Sequence, residues 1–356
     1  MTTIATRNVG VIFLNLLVQN INGHPQQHSV LRESITDVAH WNYGDGEYGP
    51  PFWPYLFPQY CAGMYQSPID IHRKQTIYDP ALTEFAIFSD PPRRGSMFQV
   101  HNNGHAVEIN TVGEFFVTNG GLPGVYKTEQ FHFHWGAYNN RGSEHTIDGE
   151  RAPLEMHIVS CNRKYGSANE AAKHPDGIAV LSVLFRISLE DNPVLQPIID
   201  VLPKVRDPDD HRLITVPPTA IKKLLPNGRD RYFRYQGSLT TPNCSEAVIW
   251  TVFEQKQFIS ERQLYYFRQM LTSSLHVETR AHRQFNIVQP DRAIETRIPL
   301  VDNFRPIQRL NGRRVYRSFK NFNYHNIIPC LKPLKYLPDY IAMPQPHYLP
   351  HLHFSY

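Results

Sequence analysis

The sequence is short of cysteine, of long apolar runs, of runs of one charge and of convincing helices, and each shortage removes a class of protein. Its four cysteines in 356 residues allow three complete pairings, and spacing does not choose among them. No stretch reaches the roughly 20 apolar residues that a membrane-spanning helix needs, so no membrane span is expected. The apolar run at residues 9–18, behind Arg7, has the length and position of the apolar segment of a secretory signal, with Gly23 the best small residue for cleavage. Residues 1–23 are therefore expected to be a signal peptide and the chain to be secreted. Net charge is only +4, and no Lys/Arg run tracks a phosphate backbone. The nearest thing, Asn311-Gly312-Arg313-Arg314, reads as a turn-like basic pair on a solvated surface, so nucleic acid is not an expected partner.

What is present is apolar and aromatic. Hydrophobic residues make up 41% and aromatic residues 12% of the chain, ample for a sizeable core. Residues 24–35 read as a linker, and from His40 to Pro58 the chain is dense in aromatics, Gly and Pro. Strand patterning then dominates, at 98–102, 106–110, 114–118, 126–135, 154–161, 178–187 and 247–253, with frequent turn residues between. Helices are few. The best covers 260–271, where Ser260 and Gln263 form a capping-box pattern ahead of Leu264, Phe267 and Leu271; 194–205 is a second, broken by Pro197 and Pro203. The expected fold is mainly β (α+β): one large, mostly antiparallel twisted sheet with a few short peripheral helices, in a single domain over 36–320. Beyond Asn321 the prolines from Pro329 to Pro350 break any regular element. Residues 321–356 read as a Pro/Tyr/His-rich extension in which His347, His351 and His353 are incidental.

The run from Gln130 to Trp135 alternates polar and apolar side chains with period two. On a strand, Gln130, His132 and His134 then share one face, and Phe131, Phe133 and Trp135 the other, which can enter a core. After a Gly/Asn/Asp-rich loop, the strand at 154–161 puts Glu155, His157 and Val159 on one face. If the two strands pair, three imidazoles converge on one point. Three neutral imidazoles and an open position suit a catalytic zinc, whereas a structural zinc wants a fourth protein ligand and no Cys lies near. Gln130 and Glu155 stand two residues before a candidate ligand, where an acceptor for the second ring nitrogen is needed. His105, in Asn102-Asn103-Gly104-His105, could relay protons to water. In the loop 237–242, a Thr240 hydroxyl donating to Glu144 would fix which lone pair of a bound hydroxide faces a substrate.

These stretches together resemble the alpha-class carbonic anhydrases. The matching segments run in family order from about His40 to Phe319: residues 66–71, 102–106, 130–136, 142–146, 155–157, 237–242 and the closing Val301-Asp302-Asn303-Phe304-Arg305-Pro306. The resemblance implies zinc on His132, His134 and His157, with Gln130, Glu155 and Asn303 behind them. It implies that zinc-bound hydroxide attacks carbon dioxide to give bicarbonate and a proton, with His105 as proton shuttle and Thr240 and Glu144 as the hydroxide-orienting pair. Thr241 lies beside that pair, Tyr43 and Asn103 order active-site water, and Val159, Val180, Leu239 and Trp250 form the apolar wall for the substrate. It also implies a Cys61–Cys244 disulfide, as in the secreted and membrane-attached members. Two positions depart from the family's habit: Asn42 where Gly is usual, and Cys161 where Trp is usual. Cys330 has no implied partner, and Asn243-Cys244-Ser245 is a sequon whose Cys is the one implied in the bridge. Two other readings compete. One is a carbonic-anhydrase-like binding or matrix protein whose catalysis is lost or secondary; members that lose activity typically lose a zinc-binding histidine, and all three are present, which argues against an inactive scaffold and leaves an active domain whose extension makes extracellular matrix or mineral contact. The other is an ester hydrolase using the same hydroxide.

Overall fold

A computed structural model describes residues 40–88, 91–273 and 298–321. The signal and linker expected over 1–35, Cys330 and the extension from 322 onward lie outside the described residues. Seven strands of six residues or more carry the architecture: β1 (Met97–Asn102), β2 (Val107–Val112), β3 (Tyr126–Trp135), β4 (Leu154–Asn162), β5 (Ile178–Ser188), β6 (Tyr232–Gly237) and β7 (Val248–Phe253). They lie in one thirteen-stranded sheet in the order β1-β2-β3-β4-β5-β7-β6, with Ile214–Val216 beyond β1 and Tyr316–Arg317, then Ile77–Tyr78, beyond β6.

The β-dominated, mostly antiparallel fold is as expected, and the sheet is mixed rather than strictly antiparallel. Three of its twelve strand pairings are parallel, including β5 with β7 at the centre and β5 with Gln257–Ser260, and nine are antiparallel. Only a tight hairpin obliges neighbours to run antiparallel, and the chain leaves β5 on a long crossover that lays down β6 before it returns as β7. Strand β6 was not among the expected ones, because Arg234 interrupts its aromatic pattern. In the fold that guanidinium is enclosed, donating to the Gly120 carbonyl and the Thr251 hydroxyl.

Both faces of the sheet centre are covered, so β4 and the first part of β5 are buried almost throughout. One face carries Phe131, Phe133, Met156, Ile158, Leu181 and Val183 into the larger core. Against it packs the helix Glu261–Arg268, with Leu264 and Phe267 buried and the Ser260/Gln263 capping box formed. The helix stops short of 271 because Leu271 bridges to Pro299 instead. The helix expected over 194–205 is two short pieces, Gln196–Ile199 and a 3-10 turn at Leu202–Lys204. On β3 the register shifts between Thr128 and Gln130. This bulge turns Thr128 to the buried Ser160 side, 3.0 Å from its hydroxyl, while Gln130, His132 and His134 face the opposite way.

Candidate active site

Register brings the histidines together. His132 lies opposite His157 across the β3–β4 ladder, His134 opposite Glu155 and Gln130 opposite Val159. Opposed residues share a face, so the three imidazoles form a cluster with ring centroids 4.6–5.2 Å apart and one nitrogen of each within 4.8 Å of the others.

The outer hydrogen bonds determine which nitrogen is available. His134 Nδ1 donates to the Asn303 carbonyl at 2.7 Å, which leaves a lone pair on Nε2. His157 Nε2 donates to Glu155 Oε1 at 2.6 Å, which leaves one on Nδ1. His132 Nδ1 meets Gln130 Oε1 at 2.9 Å, which leaves one on Nε2. The tautomers are thus assigned by their acceptors. His134 Nε2 and His157 Nδ1 then face each other at 3.1 Å with a lone pair on each, an arrangement that repels unless a cation lies between them. Burial, first of all, keeps these rings in the ligand form: it pushes His134 down to about 4 and lowers His132 and His157 as well. Three neutral imidazoles converging this way fit zinc.

Two buried carboxylates stand behind the cluster in unlike surroundings. Glu155 accepts from the His157 ring, the His145 ring and backbone N–H, and the Ser182 hydroxyl, at 2.6–2.8 Å. Burial alone would raise its pKa, but His145 and His157 together hold it well below the usual carboxylate range. His145 is in turn held by the Tyr235 hydroxyl at 2.6 Å. Glu144 Oε1 accepts the Arg305 backbone N–H at 2.8 Å, and the Thr240 side chain reaches the same carboxylate. Its Oε2 is buried with no hydrogen-bond partner among the described residues and lies 3.6 Å from His134 Nε2 and 3.9 Å from His157 Nδ1. Burial pushes Glu144 up to about 7 against the pull of His157, the Arg305 N–H and Thr240.

Beside the imidazoles runs an apolar row. Val159 pairs with Val180 and Val180 with Trp250 across β4, β5 and β7. Trp250 lies 4.8 Å from the His157 ring and ties down the loop by donating its indole N–H to the Ser238 carbonyl at 2.9 Å. Leu239 packs on the same cluster, and Thr240 is buried while Thr241 is half-buried. The Cys61–Cys244 disulfide is present, with a Cα–Cα distance of 4.9 Å across 183 residues. It joins the buried Trp53, with Trp41 and Tyr43 packed alongside. Tyr43 is raised well above its ordinary value by burial first and then by Glu144.

His105 is half-buried, and its ring stacks on Trp41 with centroids 3.8 Å apart. Asn103 Oδ1 accepts the His105 and Ala106 N–H groups, so Asn103 shapes that turn, and its amide also reaches Glu108 at 3.3 Å. Asn303 Nδ2 ties the His105 carbonyl to the site at 2.9 Å. At the departures, Asn42 caps its own turn by accepting the Gly44 N–H, and Cys161 is a buried free thiol that burial pushes up to about 11.

Some of the surrounding residues had no local signal. Ser182 and Tyr235 reach the cluster from strands far along the chain, and Trp41 reaches His105 from the aromatic segment. Arg305, inside a quoted motif but without a role, is buried and donates to Gln66 Oε1 and the Ser67 carbonyl, each at 2.9 Å.

The eukaryotic-type carbonic anhydrase family model matches residues 48–319. Carbonic anhydrase 7 of Mus musculus is 39% identical over 284 residues, covering 79% of this chain and 97% of that one. Carbonic anhydrase 3 of Homo sapiens is 35% identical over 284 residues, 79% and 98% of the two chains, and the human carbonic anhydrase 7 is 38% identical over 284 residues, 79% and 97%. A match across the whole sheet, with the three-histidine cluster inside it, leads to one conclusion: the chain belongs to the eukaryotic-type carbonic anhydrases and is an enzyme of that family.

Proposed function

We propose that the enzyme catalyses the reversible hydration of carbon dioxide to bicarbonate and a proton, with Zn2+ held by His132 Nε2, His134 Nε2 and His157 Nδ1. The observation that carries this is the convergence of three lone pairs whose opposite ring nitrogens all have acceptors. Zinc supplies a nucleophile at neutral pH by lowering the pKa of water from ~15.7 to ~7, values that belong to this enzyme family and not to the present geometry.

The chain's own residues do the rest. The Thr240 hydroxyl donates its hydrogen bond to the Glu144 carboxylate, so toward the attacking oxygen Thr240 Oγ1 can only accept, and that oxygen must donate to it and turn a lone pair toward the substrate. Carbon dioxide has no net charge, so the wall of Val159, Val180, Leu239 and Trp250 holds it by apolar contact, with Thr241 alongside. Gln130, Glu155 and Asn303 hold the ligand tautomers. The released proton leaves through water ordered by Tyr43 and Asn103 to His105, whose side-chain type titrates near neutrality at ~6.5. We assign the catalytic domain to residues 36–320. The disulfide supports a secreted protein, since such bridges persist in oxidising compartments.

The test is carbon dioxide hydration, followed with a pH indicator, on zinc-replete protein and on His134→Ala. Fast turnover in the first and a near-background rate in the second is the expected outcome. Equal rates would remove the mechanism.

A further inference from the structure

A cavity of about 490 Å³ lies away from the histidine cluster, at the outer edge of β6. Its origin is topological. The strand Tyr316–Arg317 pairs with β6 only at Phe233 and Arg234, so from Tyr235 onward that edge has no ladder partner and a notch remains. The Asn311-Gly312-Arg313-Arg314 turn, which the enzyme reaction does not use, forms its other side.

Three guanidinium groups line the notch: Arg234, Arg313 and Arg314. Among the described residues, no carboxylate comes within 4.0 Å of any of them. Asp79 is the one acidic residue lining the notch, and its Oδ1 accepts the Ala81 N–H instead. Arg234 is only 7% exposed. Its Nε and Nη2 donate to Thr251 and Gly120, while its Nη1 has no hydrogen-bond acceptor among the described residues. That nitrogen lies beside Gly121, where a Cβ would meet Leu82 first, at 2.8 Å, and Nη1 at 3.4 Å, on a backbone with φ of +72°. Arg313 donates to four backbone carbonyls, those of Leu310, Gln236, Gln66 and Arg309. These fix its position over the Tyr65 and Tyr235 rings, with Glu246 acting on it from beyond ion-pair distance. Arg314 is exposed at the rim.

A buried cation normally has a counter-ion, because its desolvation is otherwise uncompensated. Here three guanidinium groups and one carboxylate line a space large enough for a small ligand, and Glu246 acts on Arg313 from outside that lining. We propose that this notch is a binding site for a small phosphate-type oxyanion, with Arg234 Nη1 and Arg314 donating to its oxygens and Arg313 supplying fixed charge. Guanidinium forks match such oxygens in pairs. The Tyr235 and Tyr316 side of the cavity leaves room for an organic group on the phosphate.

Titration calorimetry on the full-length zinc-replete protein, with inorganic phosphate and with phenyl phosphate at low ionic strength, tests the site. One saturable site is expected, weakened at least tenfold in Arg314→Glu and lost in Arg234→Gln. Arg314 is exposed and unpartnered among the described residues, so its replacement leaves folding intact. Tighter binding of phenyl phosphate would identify an ester as the occupant and equal binding the free ion, and both outcomes support the site. Affinity unchanged in Arg314→Glu would put the anion elsewhere, including at the metal, and overturn the proposal; so would the absence of saturable binding. Neither result bears on hydration by the histidine cluster.

Discussion

The site has two halves built in different ways. The histidine half, which could hold a metal, stands on adjacent strands, where a ladder pairs His132 with His157 and His134 with Glu155. The half that would orient nucleophile and proton stands on loops: Thr240 and Thr241 after β6, Tyr43 in the aromatic segment, and His105 between β1 and β2. The two carboxylates show the difference. Glu155, on a strand, has its oxygens saturated with donors and is held well below its ordinary range. Glu144, on a loop, has one oxygen without a hydrogen-bond partner among the described residues, turned to His134 Nε2 and His157 Nδ1, and is pushed up to about 7. Two carboxyl groups beside one cluster thus sit in environments of opposite effect, and under the proposed function this separates their tasks: Glu155 would hold the His157 ring, and Glu144 would face what occupies the site.

Breaking the bridge with Cys61→Ser and Cys244→Ser should have the largest effect on the loop half. The loop it closes is long, 183 residues, so stability should fall by up to about 5 kcal/mol, read from urea midpoints. Zinc content should persist, because no ligand lies on the braced loop; loss of the metal together with the bridge would erase the division between the halves. Thr240→Ala should lower kcat/KM about a hundredfold by removing one oriented group, again with zinc retained. Glu155→Gln strikes the strand half. It puts an amide where the carboxylate accepts four donors, and zinc affinity should weaken roughly 10- to 100-fold in competition with a chelator. An unchanged affinity would mean that Glu155 serves only His145. The mildest change is His105→Ala. It should slow turnover by roughly tenfold or more in weak buffer only, with recovery on adding imidazole; an equal loss in strong buffer would take His105 out of proton transfer.

The legible parts of this protein share a property. The period-two pattern around His132 and the capping box at Ser260 are set by residues two or three apart, so backbone geometry alone translates them into faces and helix ends. The hydrogen bond from His132 to Gln130, two positions earlier, is of this kind. What stayed hidden was long-range. The acceptor for His134 is the carbonyl of Asn303, 169 residues away, which only the family resemblance had put behind the ligands and no local pattern marked; Ser182, Tyr235 and Trp41 join the site from other strands and loops. Strand β6 was hidden for the same reason: Arg234 looks like a surface residue until Gly120 and Thr251 surround it. The sheet's mixed character also has no local signature, since β5 and β7 became parallel neighbours only through the crossover between them.

From the order of its residues alone this chain determined a mainly β domain, a pair of histidine strands and a neutral-imidazole donor set, because alternation along an extended backbone is a local consequence of the pleat. Tertiary structure alone decided which nitrogen of each ring points inward, that Glu144 and Glu155 experience opposite environments, and that three arginines share one notch. Those depend on acceptors, burial and charges delivered by distant segments, and a linear pattern carries no record of which of them will meet.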